Sequence, residues 1–332
     1  MQRRDVMVMS VGALVASTFG VRGLGQTLSV TGATGDEARS RRHDSERRFV
    51  ATRFGRIAYV ERGSGPVALF LHGFPLSSFQ WRGVIEQLAG DRRCVAPDAM
   101  GLGYTEVAPS QSLAPGSQAD MLMAFLDSLA IERVDLIGNG SGGAIAQIFL
   151  SRYPERVRTL LLTNCDVELQ SPPAALLPAI KIARAGLYPE LYLEPWLNHK
   201  PEARSQTAGL GMCYSNPSHP TDAAIEQYLR PLVASAERKV LVNRYLVALE
   251  ANPLEGLESA LAASKVPTRI VWGMKDTMFS AGNVEYLARI LPRLTGILRI
   301  PEGKLFFPEE VPNVIAQEAR VLWKQTGTLR VD

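Results

Sequence analysis

Histidine is scarce in this chain: His43, His72, His199 and His219 are all there are, and none follows His219. That leaves the C-terminal third without a histidine base. Cysteine is scarce too. Cys94, Cys165 and Cys213 have no metal-like spacing and an odd count, which argues against a disulfide framework and reads best as buried small side chains. No metal and no cofactor is expected. Charge of one sign is also lacking, with 36 Lys and Arg against 33 Asp and Glu. The one basic cluster, "RSRRHDSERR", is broken by acids, so no nucleic-acid partner is expected.

Long apolar runs are nearly absent. The run from Val6 to Val21 is short for a membrane span and suits the core of a signal segment. Arg3 and Arg4 stand just before it, like a twin-arginine export signal. Residues 1–25 therefore read as a leader to the periplasm or exterior, with no stable membrane span after export; if the leader does not function, the protein stays in the cytoplasm. Residues 26–47 are polar and read as a linker.

Order is expected from about Phe49. "FVATRFGRIAYVERG" gives two short strands around Gly55. "VALFLHG", "RCVAPDAMGLG", "RVDLIGN", "VRTLLLTNCD", "TRIVWG" and "GILRIP" are runs of the kind found in strands buried on both faces. Helical segments alternate with them at Ala119–Leu129, Gly142–Tyr153, Asn283–Leu291 and Pro308–Gln325. The alternation implies an α/β fold with a mostly parallel sheet flanked by helices. It breaks between residues 167 and 265, a mainly helical stretch placed as a cap after the sixth strand. The core is then 48–166 with 266–332.

Ligands of such sheets gather at the carboxyl ends of the strands. Four segments fall there: "LHGFP" (His72–Pro75), "LIGNGSGG" (Leu136–Gly143), "WGMKD" ending in Asp276, and "PEGKLFFPEE" around Lys304. With "LHGFPLSSFQWR", "APDAMGLG", "GGAIAQ" and "YPERV" in order, the chain resembles the α/β-hydrolase superfamily from about Phe49 to Trp323. Within it, the capped epoxide-hydrolase and haloalkane-dehalogenase branch is the closer likeness.

The resemblance implies a nucleophile on a turn of form small-x-nucleophile-x-small. One frame puts Gly138 and Gly142 at the flanks and Gly140, which has no side chain, at the nucleophile position. A shifted frame makes Ser141 the nucleophile, with Asn139 and Gly143 as flanks; asparagine is the poorer flank, so the first frame is preferred. The base position, histidine in the family, holds Lys304. Asp276 matches the acid position and is expected to pair with Lys304. The backbone N–H groups of Phe74 and Ser141 match the oxyanion donors. Dehalogenation is disfavoured, because the halide-holding Asn and Trp positions carry Phe74 and Ser141. His72, Asp166, Tyr188 and Tyr214 are candidate pocket residues, with Tyr192, Tyr228 and Tyr245 as further cap tyrosines. Three readings remain open. One is a small-molecule enzyme in which Lys304, Asp276 and the oxyanion donors run proton transfer, elimination, cyclisation or slow hydrolysis without a covalent intermediate, Lys304 acting as electrostatic clamp or general acid. Another is a pseudoenzyme that binds a ligand or partner. The third is a hydrolase using Ser141 as nucleophile with Lys304 as base.

Overall fold

The computed structural model describes residues 33–327; the leader at 1–25 lies outside them. The strands are β1 (Arg48–Thr52), β2 (Gly55–Arg62), β3 (Val67–Leu71), β4 (Arg93–Pro97), β5 (Val134–Gly140), β6 (Val157–Cys165), β7 (Thr268–Gly273) and β8 (Leu294–Ile300). They form one eight-stranded sheet in the order β1-β2-β4-β3-β5-β6-β7-β8. β2 runs antiparallel to β1 and β4, and every other pairing is parallel.

Parallel strands need crossovers, and the crossovers cover both faces. The helices before the insertion are α1 (Ala33–Glu46), α2 (Arg82–Leu88), α3 (Pro115–Ser128) and α4 (Ser141–Arg152). Between β6 and β7 lie α5 (Leu177–Arg184), α6 (Glu194–Asn198), α7 (Lys200–Ala203), α8 (Asp222–Val233), α9 (Ala236–Ala248) and α10 (Glu258–Ala262). The chain ends with α11 (Gly282–Ile290), α12 (Phe307–Glu310) and α13 (Pro312–Gln325). Leu69 and Leu71 of β3 pack with Met121, Phe125 and Ile145 of α3 and α4. Ala68 and Phe70, on the other face, pack with Val84, Leu88, Ile315 and Trp323 of α2 and α13. All five residues of β3 and all seven of β5 are therefore buried. Among the described residues no helix is long and apolar enough to cross a membrane.

Two expectations need correction. Residues 33–46, within the segment read as a linker, form helix α1. Its anchors are polar, which is why its composition resembles a loop. Asp36 accepts from Arg82 at 3.1 and 3.0 Å and from Thr221 Oγ1 at 2.7 Å. Gln227 donates to Ser40 and Asp44, and His43 Nε2 lies 3.1 Å from Ser78 Oγ. The other correction is at the C-terminus, where the expected Pro308–Gln325 helix is split at Val311, with φ −131° and ψ 59°. Pro312 follows, and a residue before proline is pushed out of the helical region.

Candidate functional site

The carboxyl ends of β3, β5, β6 and β7 meet the helical insertion around a cavity of about 330 Å³. Phe74, Gly140, Ser141 and Asp166 form its floor, and Tyr188, Tyr192, Trp196, Leu210 and Cys213 its insertion side. Among the described residues no Lys, Arg or His lines it.

β5 ends in a sharp turn into α4. Gly140 sits at the tip as the N-cap, with φ +56° and ψ −130°, a conformation that side chains strain to adopt. A Cβ on Gly142 would collide with the Leu71 carbonyl, and one on Gly138 would lie 2.8 Å from the Gly142 oxygen. Gly143 is as tightly packed, against Cys165, but its partner flank in the shifted frame is Asn139, so only Gly138 and Gly142 give a turn that is small on both sides. Asn139 points inward instead, donating to Thr163 Oγ1 at 2.8 Å and to the Leu305 carbonyl at 3.0 Å. Its oxygen accepts from Gln80 Nε2 at 2.6 Å, while Gln80 Oε1 accepts from Gly73 N at 3.0 Å. One buried amide chain therefore joins the loop after β3, the turn and the loop after β8. Sequence reading missed it, although a lone asparagine in an apolar strand was the available signal.

Ser141, the first residue of α4, is buried at the cavity floor. Its Oγ accepts from the Phe74 backbone N–H at 3.1 Å and from Tyr245 Oη at 3.1 Å. The Phe74 donor is thus engaged within the protein rather than standing open. Tyr245 is stacked on Phe74 (ring centroids 5.6 Å apart, planes at 15°), and burial pushes its phenol up to about 12. Among the described residues no hydrogen bond joins Ser141 to Lys304.

Asp166 follows β6 and lines the cavity, accepting from Ser171 Oγ at 2.8 Å. Burial lifts its carboxyl from the ordinary 3.8 to about 7, against the lowering effect of its hydrogen bonds. Asp276 is held by Asn164 Nδ2 at 2.7 Å and the Met278 N–H at 2.9 Å, and burial lifts it to about 6. Neither Asp276 nor Lys304 lines the cavity. Their expected ion pair is absent among the described residues: Asp276 is satisfied by Asn164 and by backbone amides instead. Cys213 lies where both charges are felt. Burial, then Asp276, push its thiol up, and Lys304 opposes them.

Of the other candidates, Tyr188 lines the cavity. His72 and Tyr214 are corrections. The His72 ring bridges two loops, with Nδ1 3.1 Å from the Gly73 carbonyl and Nε2 accepting from Ala99 N at 3.0 Å. Tyr214 turns away to donate to Glu309 at 2.6 Å. Both are spent on structure.

A carboxyl whose folded value is raised favours the folded state when protonated. Its contribution is full below about pH 4 and is lost as pH rises through about 7 for Asp166. Asp166→Asn is therefore expected to flatten the decline in stability over that window, read as denaturant midpoint against pH.

Residues 66–311 match the alpha/beta hydrolase fold family. Haloalkane dehalogenase 2 of Mycobacterium tuberculosis is 28% identical over 290 residues, covering 82% of this chain and 92% of that protein. Cis-3-alkyl-4-alkyloxetan-2-one decarboxylase of Shewanella oneidensis is 28% identical over 247 residues, covering 70% and 74%. The structure of the epoxide hydrolase CorEH superposes with a TM-score of 0.72 at 19% identity, covering 84% of this chain and 98% of that one. On its sheet order, its glycine turn and this match, the chain belongs to the alpha/beta hydrolase fold family.

Proposed function

We propose that this protein acts on a small organic molecule by proton transfer, without a covalent enzyme intermediate. The observation that carries the reading is the pairing of a side-chain-free turn tip, Gly140, with a cavity carboxyl, Asp166, poised near pH 7. On this reading Gly140 holds the nucleophile's place and Lys304 the base's, so the family's usual attack has no attacking atom. Ser141 does not replace it. Its Oγ lone pairs are engaged by Phe74 N–H and Tyr245 Oη, and among the described residues no hydrogen bond joins its hydroxyl to a carboxylate, histidine or lysine.

Asp166 supplies what the cavity still offers. A carboxyl with a value near the working pH is present in both forms, so it can take a proton and return it. The step assigned to it is removal of a proton from the carbon beside a carbonyl. The C–H electron pair moves into the carbonyl, the enolate oxygen accepts from the Ser141 hydroxyl, since the Phe74 N–H is already engaged, and Asp166 returns the proton. The named relatives act on halogenated, four-membered lactone and epoxide compounds.

Hydrogen–deuterium exchange at the α carbon of small ketones, 1-tetralone among them, tests this by NMR in D₂O. Exchange is expected to exceed the buffer rate and to rise through about pH 7, as Asp166 ionises. Asp166→Asn should lower it by about 10²–10⁴-fold. Exchange no faster than in buffer, with ligand binding retained, would leave binding without turnover as the function.

A further inference from the structure

The Ser141 hydroxyl has two acceptor sites and one proton. Both acceptor sites are filled, by Phe74 N–H and by Tyr245 Oη. With Tyr245 as the donor of that pair, the Ser141 proton is left over: among the described residues no hydrogen bond has Ser141 as its donor. A buried O–H without an acceptor is costly unless something else supplies one. This one stands at a cavity wall. Its two donors also polarise it, since each hydrogen bond accepted makes the remaining O–H a stronger donor.

The rest of the cavity narrows what the acceptor belongs to. Phe74, Tyr188, Tyr192, Trp196 and Phe306 present ring surfaces, and Tyr188 is stacked on Tyr192 with centroids 5.1 Å apart. Among the described residues no cationic side chain lines the space, and Asp166 is the acid there. An anionic ligand would enter without a counter-charge and beside a carboxyl, which is unfavourable in a buried site.

We infer that Ser141 is the recognition donor of this site, holding the carbonyl oxygen of a neutral, ring-bearing molecule through its Oγ–H. Tyr245 is the positioning residue, holding Ser141 Oγ from behind with its own ring fixed on Phe74. The specificity follows: carbonyl over hydrocarbon, and neutral over carboxylate. This inference deepens the proton-transfer reading and rests on it for the identity of the reacting carbonyl, while its own readout is equilibrium binding.

Equilibrium dialysis with a matched set of probes tests it, using 1-tetralone, tetralin and 2-naphthoate against the wild type, Ser141→Ala and Tyr245→Phe. Ser141→Ala should weaken 1-tetralone binding by about tenfold and change tetralin by less than about twofold. Tyr245→Phe should weaken 1-tetralone by a few-fold, and 2-naphthoate should bind the wild type more weakly than 1-tetralone. Tetralin retention by the variants reports an intact cavity. Equal loss of both neutral probes in Ser141→Ala, unchanged 1-tetralone binding, or a wild type that binds neither would each overturn the inference. Lost discrimination with α-carbon exchange intact sinks the Ser141 assignment alone. Absent exchange with discrimination intact sinks the catalytic reading alone.

Discussion

The double variant Gly140→Ser/Lys304→His is expected to gain hydrolysis of activated aryl esters, on the order of 10³-fold above the wild type, while either single change gains almost nothing. The asymmetry has a physical cause. A serine without a base and a histidine without a nucleophile are each nearly inert, because the members of a triad act as one unit and their effects are far from additive. The third member is Asp276, which follows β7 and would have to share its carboxylate between the new histidine and Asn164, now at 2.7 Å. The gain carries a stability cost. A side chain at φ +56° and ψ −130° is strained by about 1–3 kcal/mol, and its Cβ would lie 3.2 Å from Gly73 Cα. Gly140→Ser alone should therefore lower the unfolding midpoint. Rates of p-nitrophenyl ester cleavage with urea unfolding of the four proteins check both parts. Equal gain from Gly140→Ser alone would mean that Asp166, on the same cavity floor, already serves the new hydroxyl as base, and would contradict the assignment of the base's place to position 304.

Arg82→Ala is expected to be the most damaging substitution for stability, costing about 3–5 kcal/mol. Arg82 is nearly enclosed and pairs with Asp36 of α1 at 3.0 Å and with Glu309 of α12 at 2.6 Å. It also donates to Tyr228 Oη at 3.1 Å, while Tyr214 and Tyr228 donate to Glu309 at 2.6 and 2.8 Å. Truncation leaves two buried carboxylates without their shared cation, and the loss of partners is far worse than the loss of attraction. The contacts run from α1 and α2 to α8 and α12, so the loss should be global rather than local. Arg56→Ala is the control. Its pair with Glu106 at 3.0 Å is more than half exposed on both sides, and such pairs contribute at most about 1 kcal/mol. Urea midpoints of the two variants should differ accordingly. A similar small shift in both would mean that the cluster relaxes or hydrates when it is opened.

Periodicity and glycine placement made the scaffold legible. "VALFLHG" and "RVDLIGN" read as doubly buried strands because little but such strands carries so few polar residues, and "GNGSGG" read as a turn because only small residues fit its flanks. Helix α1 was illegible for the opposite reason. Its partners, Arg82, Thr221 and Gln227, lie 46 or more residues away along the chain, and a polar helix held by distant polar groups has no local signature. The Asp276–Lys304 pair failed because adjacency at the ends of two strands does not choose between competing donors. Asn164 and the Met278 N–H are nearer and already satisfy the carboxylate. Tyr214 failed similarly, since a tyrosine in the insertion can face the cavity or the Glu309 cluster and the sequence carries no mark of which. The role of Ser141 was the hardest to foresee. Its standing as acceptor from Phe74 and Tyr245 depends on a residue 104 positions away.

The central claim is that no side chain of this protein attacks its ligand. Intact-protein mass spectrometry after incubation with a fluorophosphonate tests it most directly, because such reagents phosphonylate serine nucleophiles whatever their natural substrate. The wild type is expected to keep its mass, and Gly140→Ser/Lys304→His to gain one phosphonyl group. A single phosphonyl group on the wild type, lost in Ser141→Ala, would contradict the account and make the protein a serine hydrolase.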